Sequence, residues 1–147
     1  MRLSIFPFAA PLLFLTLTAC PPSGELASTP PPQELLNDST WRIVSIDGAP
    51  IASERPAEMR FDGASLSGSA GCNRFSGAYK VVADKLTTTQ PIASTMMACF
   101  GAVGEQEQAL LALLSDTVTL RVDEQGRLMM NGRSHQAVLE PQPAGTL

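Results

Sequence analysis

The sequence predicts a mainly β fold: a small antiparallel β-barrel or rolled sheet of about eight short strands, with one α-helix at about 103–115. Three observations carry this. Short segments that alternate apolar and polar residues recur between Trp41 and Leu139, with Asp-Gly and Asn-Gly pairs between them. Only one segment changes to helical spacing. A chain of 147 residues is the size of one domain, so these elements must share a single core.

In chain order, Met1-Arg2 gives one positive charge, and Leu3 to Ala19 is apolar and uncharged. A basic start, an apolar middle and a small-residue end have the layout of a secretory signal over 1–19. A membrane span is the weaker reading, because Pro7 and Pro11 interrupt a run that would need about 20 apolar residues. Leu17-Thr18-Ala19-Cys20 resembles the bacterial lipobox. That resemblance implies cleavage before Cys20 and acylation of it, giving a membrane partner through a palmitate-type lipid. Several acyl chains hold a protein on a membrane where one binds only marginally. Plain signal cleavage would instead leave an unpaired, exposed thiol. Pro21, rather than Asp, follows Cys20, which favours the outer membrane facing the periplasm over inner-membrane retention.

Removing 1–19 takes away Arg2 alone and leaves 9 basic against 14 acidic residues, a net charge of −5. An acidic chain with few aromatics and no basic run argues against a nucleic-acid partner. It also argues against electrostatic attachment to anionic lipid. Residues 20–38 are rich in proline and poor in apolar material, so they are expected to be a disordered tether. A proline-rich recognition ligand is the lesser alternative there.

The folded domain is expected over 39–141, with a flexible tail over 142–147. Trp41 to Ile46 reads as a strand, with Trp41, Ile43 and Ser45 on one face and Arg42, Val44 and Ile46 on the other. Asp47-Gly48 supplies a turn. Residues 57–61 and 64–68 flank Asp62-Gly63 and read as a hairpin. Phe75 to Val82 is the next strand, with Lys85 to Thr89 returning beside it. Val103, Leu110, Leu111 and Leu114 are spaced as a helix stripe, with Glu105 and Glu107 expected in the first turns, where the helix dipole favours them. Thr117–Val122, Arg127–Met130 and Arg133–Leu139 complete the strands, with a reversal at Glu124-Gln125-Gly126 and a two-residue turn at Asn131-Gly132.

Two internal cysteines remain, Cys72 and Cys99. In an exported protein they are expected to form a disulfide. Closing a loop of about 28 residues is worth about 3.5 kcal/mol in the chain-entropy model. Three alternatives compete. Structural zinc wants four ligands, and the chain offers these two and the distant His135. Redox pairs more often occur as Cys-x-x-Cys. A catalytic thiol wants a histidine beside it, and His135 is the sole candidate. No acid–base pair, nucleophile constellation or metal cluster stands out, so no catalytic residue, metal or cofactor is assigned. Asn73, Arg74 and Tyr79 are the candidate binding loop. Against that reading, Asn73 is a common turn residue that bonds local backbone, and Arg74 can form an ion pair or cover Phe75. Met96 and Met97 read as core filler, although adjacent strand residues face opposite ways.

Gly71-Cys72-Asn73-Arg74-Phe75-Ser76-Gly77-Ala78-Tyr79, then Thr95-Met96-Met97-Ala98-Cys99, then Glu107 with Leu110, Leu111 and Leu114, resemble the META domain of HslJ-like heat-shock lipoproteins. The resemblance covers about 39–140. Met96 departs from it where many members have arginine, so no role of that arginine transfers. It implies a small, β-rich, often lipidated envelope domain linked to heat shock, with no established catalytic residues. The expected function is therefore a non-enzymatic, monomeric binding or protective module. Its partner would be an envelope protein or a small apolar ligand. An inhibitor or accessory factor of an envelope hydrolase is the alternative.

Overall fold

The structure, a computed structural model, describes residues 31–143. The signal segment, Cys20, most of the expected tether and residues 144–147 lie outside the described residues.

The elements run α1 (Pro32–Leu36), β1 (Ser39–Ile46), β2 (Ala49–Pro50), β3 (Glu58–Asp62), β4 (Ser65–Ser69), β5 (Arg74–Val82), β6 (Lys85–Thr88), β7 (Ala93–Ser94), α2 (Gly101–Leu114), β8 (Val118–Val122), β9 (Leu128–Asn131) and β10 (Gln136–Gln142). Eight strands pair antiparallel in the order β1-β3-β4-β5-β6-β8-β9-β10, and β10 pairs back onto β1. The result is a closed eight-stranded barrel, as the strand count and turn signals imply. Two short strands sit off it, β2 on β1 and β7 on β5.

Inward positions alternate along each strand and fill the interior. Met59 and Phe61 on β3, Leu66 on β4, Leu86 on β6, Leu120 on β8, Leu128 and Met130 on β9 and Leu139 on β10 are all essentially without solvent contact. Phe61 and Tyr79 meet edge to face, 5.2 Å between ring centres. Closure leaves the interior accessible only through the barrel ends. Leu36 of α1 and Leu110, Leu113 and Leu114 of α2 belong to the same core, so these helices reach it through the ends.

Several local expectations shift. The first element begins at Pro32, within the stretch expected to be tether, and its Leu36 is fully buried. At the other end, β10 extends through Gln142, one residue past the expected boundary. In β1 the alternation breaks: Ile43 pairs with Leu139 but Ser45 pairs with Val138, leaving Val44 as an extra residue. This bulge turns Ile46, not Ser45, into the core. The β3–β4 turn is Gly63-Ala64, because Asp62 still pairs with Ser65. Asn131 likewise stays in its strand, and the reversal spans Gly132 to His135, closed by a Gly132 N–H to His135 carbonyl bond of 2.9 Å. The reversal before Arg127 is as read, with Gly126 at φ +77 and its N–H bonded to the Asp123 carbonyl.

The Asp47-Gly48 turn has both residues at positive φ, +51 and +78, the geometry that suits a two-residue hairpin between Ile46 and Ala49. Asp47 also fastens β10. One carboxylate oxygen accepts the Gln136 N–H at 2.9 Å and the other lies 2.8 Å from His135 Nδ1. The hydrogen bond with His135, then that from Gln136, holds the Asp47 carboxyl below its ordinary range. A depressed folded-state value stabilises above the ordinary 3.8 and is lost as pH falls through the lower folded value. The group is largely exposed, so the effect is roughly a few tenths of a kcal/mol. Asn tolerates the same backbone, so Asp47→Asn is expected to leave neutral stability nearly unchanged and to flatten this acid limb. Urea unfolding across the acid range measures it.

Candidate functional site around the Cys72–Cys99 loop

Between β4 and β5 the chain turns through Ala70-Gly71-Cys72-Asn73, and it is held there from two sides. Cys72 and Cys99 are bonded, with Cα atoms 6.2 Å apart. Gly71 sits at φ +105, and a Cβ there would strike the Ser53 side chain; the Ser53 hydroxyl donates to the Gly71 carbonyl at 3.1 Å. On the other side, Gly104 of α2 packs against the Cys99 backbone, where an added Cβ would lie 2.5 Å from the Cys99 carbonyl oxygen.

The centre of this arrangement is Asn73, only 4% exposed. Its side-chain Nδ2 donates to Glu107 Oε1 at 2.7 Å and to the Met97 carbonyl at 3.1 Å, and lies 3.1 Å from Cys99 Sγ. Its Oδ1 accepts from the Met97 N–H at 2.7 Å and the Thr95 hydroxyl at 2.8 Å. Its own backbone N–H donates to Glu107 Oε2 at 2.7 Å. Asn73 is thus neither a turn residue bonding local backbone nor a ligand group awaiting a partner. Every polar atom of its side chain is used to join β5, the loop at 95–99 and α2.

Glu107 and Gln106 come from a displaced helix stripe. α2 starts at Gly101, two residues earlier than expected, so Glu105 and Glu107 lie beyond its first turn. Its buried face is Gln106, Glu107, Leu110, Leu113 and Leu114, while Val103 and Leu111 are only partly buried. Two of these five residues are polar because they meet the loop backbone instead of the apolar core. Gln106 accepts from the Ala52 N–H at 2.9 Å and donates to the Ala70 carbonyl, and Glu107 binds Asn73. Among the described residues no buried side-chain nitrogen or oxygen lacks a partner.

The candidate binding residues therefore separate. Tyr79 is buried against Phe61, and burial, with a smaller push from Asp38, raises its hydroxyl above the usual phenol range. Arg74 is exposed and has no carboxylate within 4.0 Å among the described residues. His135 pairs with Asp47 on the β10 side and not with the cysteines. Cys72, Cys99 and Glu107 place their ligand atoms within 4.8 Å of one another, but both sulfurs are committed to the disulfide.

Met96 and Met97 correct the core-filler reading outright. They are 97% and 52% exposed, and Phe100 beside them is 84% exposed. Three large apolar side chains thus stand on a loop pinned at Asn73 and Cys99. Nothing in a run of Met-Met-Ala-Cys-Phe distinguishes this from buried chain, because the outward turn is set by bonds to residues more than twenty positions away.

A family model described as META domain matches residues 34–144. No curated protein matches the chain. Two solved structures share the architecture. One, "NMR structure of the protein from Burkholderia xenovorans", is 21% identical, with a TM-score of 0.60, covering 84% of this chain and 98% of its own. Another, "NMR structure of the protein", is 23% identical, with a TM-score of 0.64, covering 76% of this chain and 95% of its own. At such identity the likeness speaks for the fold alone. The family match covers the whole barrel, and the chain belongs to the META domain family.

Proposed function

We propose that the protein is a non-enzymatic envelope lipoprotein of the HslJ-like type, anchored through Cys20 and acting in stress as a protein-binding module. The carrying observation is the exposed cluster of Met96, Met97 and Phe100 on an otherwise fixed loop. Exposed, grouped apolar side chains mark contact surfaces, and methionine adapts to varied partners. The occupied barrel interior favours a protein partner over a small apolar ligand carried inside. Lipidation at Cys20 and the outer-membrane location rest on the lipobox-like residues and Pro21.

Two measurements test the reading. A photocrosslinking residue at position 96 or 100 in living cells is expected to give discrete protein adducts. The same probe at exposed Arg121, on β8, is expected to give few. Equal adducts at both positions, or lipid adducts alone at 96 and 100, would overturn the protein-binding assignment. Radioactive fatty acid should label the wild type and not Cys20→Ser; an unlabelled wild type would remove the anchor.

A further inference from the structure

A second surface lies on the outside of the barrel and borders the pinned loop at Arg74, whose carbonyl accepts the Thr95 N–H. Strand register arranges its residues in two rows. One row runs Glu140, Arg42, Glu58, Ser69, Arg74 across β10, β1, β3, β4 and β5. The next runs Gln142, Thr40, Arg60, Ser67, Ser76 across the same strands. Glu140, Glu58 and Gln142 share these rows, but the β4 positions between Arg60 and Arg74 are the short hydroxyl residues Ser67 and Ser69. The arginines therefore stand over a shallow floor.

That floor has a shape. Arg60 and Arg74 flank a depression of about 240 Å³ whose base includes Ser67 and Ser69. From strand spacing and rise, their Cα atoms lie about 12 Å apart, a span two arginine side chains can close around a small ion. Arg74 also borders a wider depression of about 770 Å³ with Arg42 and Arg55. The chain is acidic overall, yet four of the nine cationic side chains beyond Arg2 gather here.

Their pairing is the telling feature. Arg42 is taken by Glu140. Arg55, Arg60 and Arg74 have no carboxylate within 4.0 Å among the described residues, although Glu58 lines both depressions. The Ser69 oxygen accepts the Gly71 N–H, which leaves its hydroxyl proton free to donate. Guanidinium groups present donors in a planar fork that matches the oxygens of phosphate, and hydroxyl donors complete the shell.

We propose that Arg60 and Arg74, over Ser67 and Ser69, form a binding site for a phosphate-class oxyanion. Arg55 extends the positive field around it, and Glu58 weakens it. The site does not involve Met96 or Phe100, so it stands or falls separately from the protein-binding surface.

The test is titration of the purified full chain with inorganic phosphate, following the arginine Nε–H and backbone amide NMR signals. Saturable shifts centred on Arg60, Ser67, Ser69 and Arg74 are expected. Arg60→Gln with Arg74→Gln should weaken binding by roughly tenfold, as for two exposed charge contacts. Glu58→Gln should tighten it by about threefold through loss of one opposing charge. These three positions are outward-facing, so thermal melting should be unchanged. A parallel arm compares vesicles of phosphatidylcholine with and without phosphatidylglycerol. Shifts with phosphate alone identify a soluble source, and an arginine-dependent gain with phosphatidylglycerol identifies a lipid headgroup. No saturable shift in either arm, or a double variant that binds as the wild type does, would overturn the site.

Discussion

Asn73→Ala is expected to lower the unfolding free energy by about 3–4 kcal/mol, at the upper end for a single substitution. The side chain removed is small, so lost apolar burial is not the cause. What is lost is the shared partner of the Met97 N–H, the Met97 carbonyl, the Thr95 hydroxyl and one oxygen of Glu107. Each group left unsatisfied in a poorly hydrated place costs about 1–3 kcal/mol, and partial access to water at the loop keeps the total below the sum. Asn73→Asp should be worse at neutral pH, because a carboxylate oxygen would replace the donor now 2.7 Å from Glu107. Sharing a proton raises the folded-state pKa of such a pair. That variant should therefore regain stability as pH falls, opposite in sign to the Asp47 effect. Urea midpoints at neutral and acid pH measure both. A loss under 1 kcal/mol for Asn73→Ala would show that the network is not what holds the loop.

Opening the disulfide should cost about 3.5 kcal/mol, whether by reductant or by Cys72→Ser with Cys99→Ser, since 27 positions separate the two residues. The two effects should not add. Asn73 and the disulfide restrain the same segment, so once the crosslink is gone the loop can open and water can reach the groups that Asn73 serves. A double-mutant cycle is expected to show coupling of about 1 kcal/mol, with Asn73→Ala less costly in the reduced protein. Strict additivity would mean that each restraint acts on a different part of the chain.

How far the sequence disclosed this molecule depends on the range of the interactions involved. Hairpins were legible because alternation and glycine turns are local signals: Asp47-Gly48 and the β3–β4 pair fall within a residue of their expected places. The barrel followed from the number of such strands. The two-residue strands β2 and β7 are too short to carry a period. The bulge at Val44 is imposed by β10, nearly a hundred residues away. In α2, leucines drew the stripe toward Val103 and Leu111, but the true inner face includes Gln106 and Glu107, which bind backbone that only the folded loop supplies. Asn73 stood out in sequence, yet its role is visible only with Met97 and Glu107 beside it. The exposed methionines gave no local sign at all.

Because β1 is completed by β10, the first strand must wait for the last before the wall can be sealed. Loop closure across nearly the whole domain is slow compared with hairpin formation, giving a high contact order. Cys72 and Cys99 both lie within the part of the chain that precedes this final pairing. The covalent link can therefore form on an open, curled sheet and shorten the search that remains. A chain truncated before Gln136 would keep the link but leave the margins of β1 and β9 bare, a species prone to pair with its neighbours.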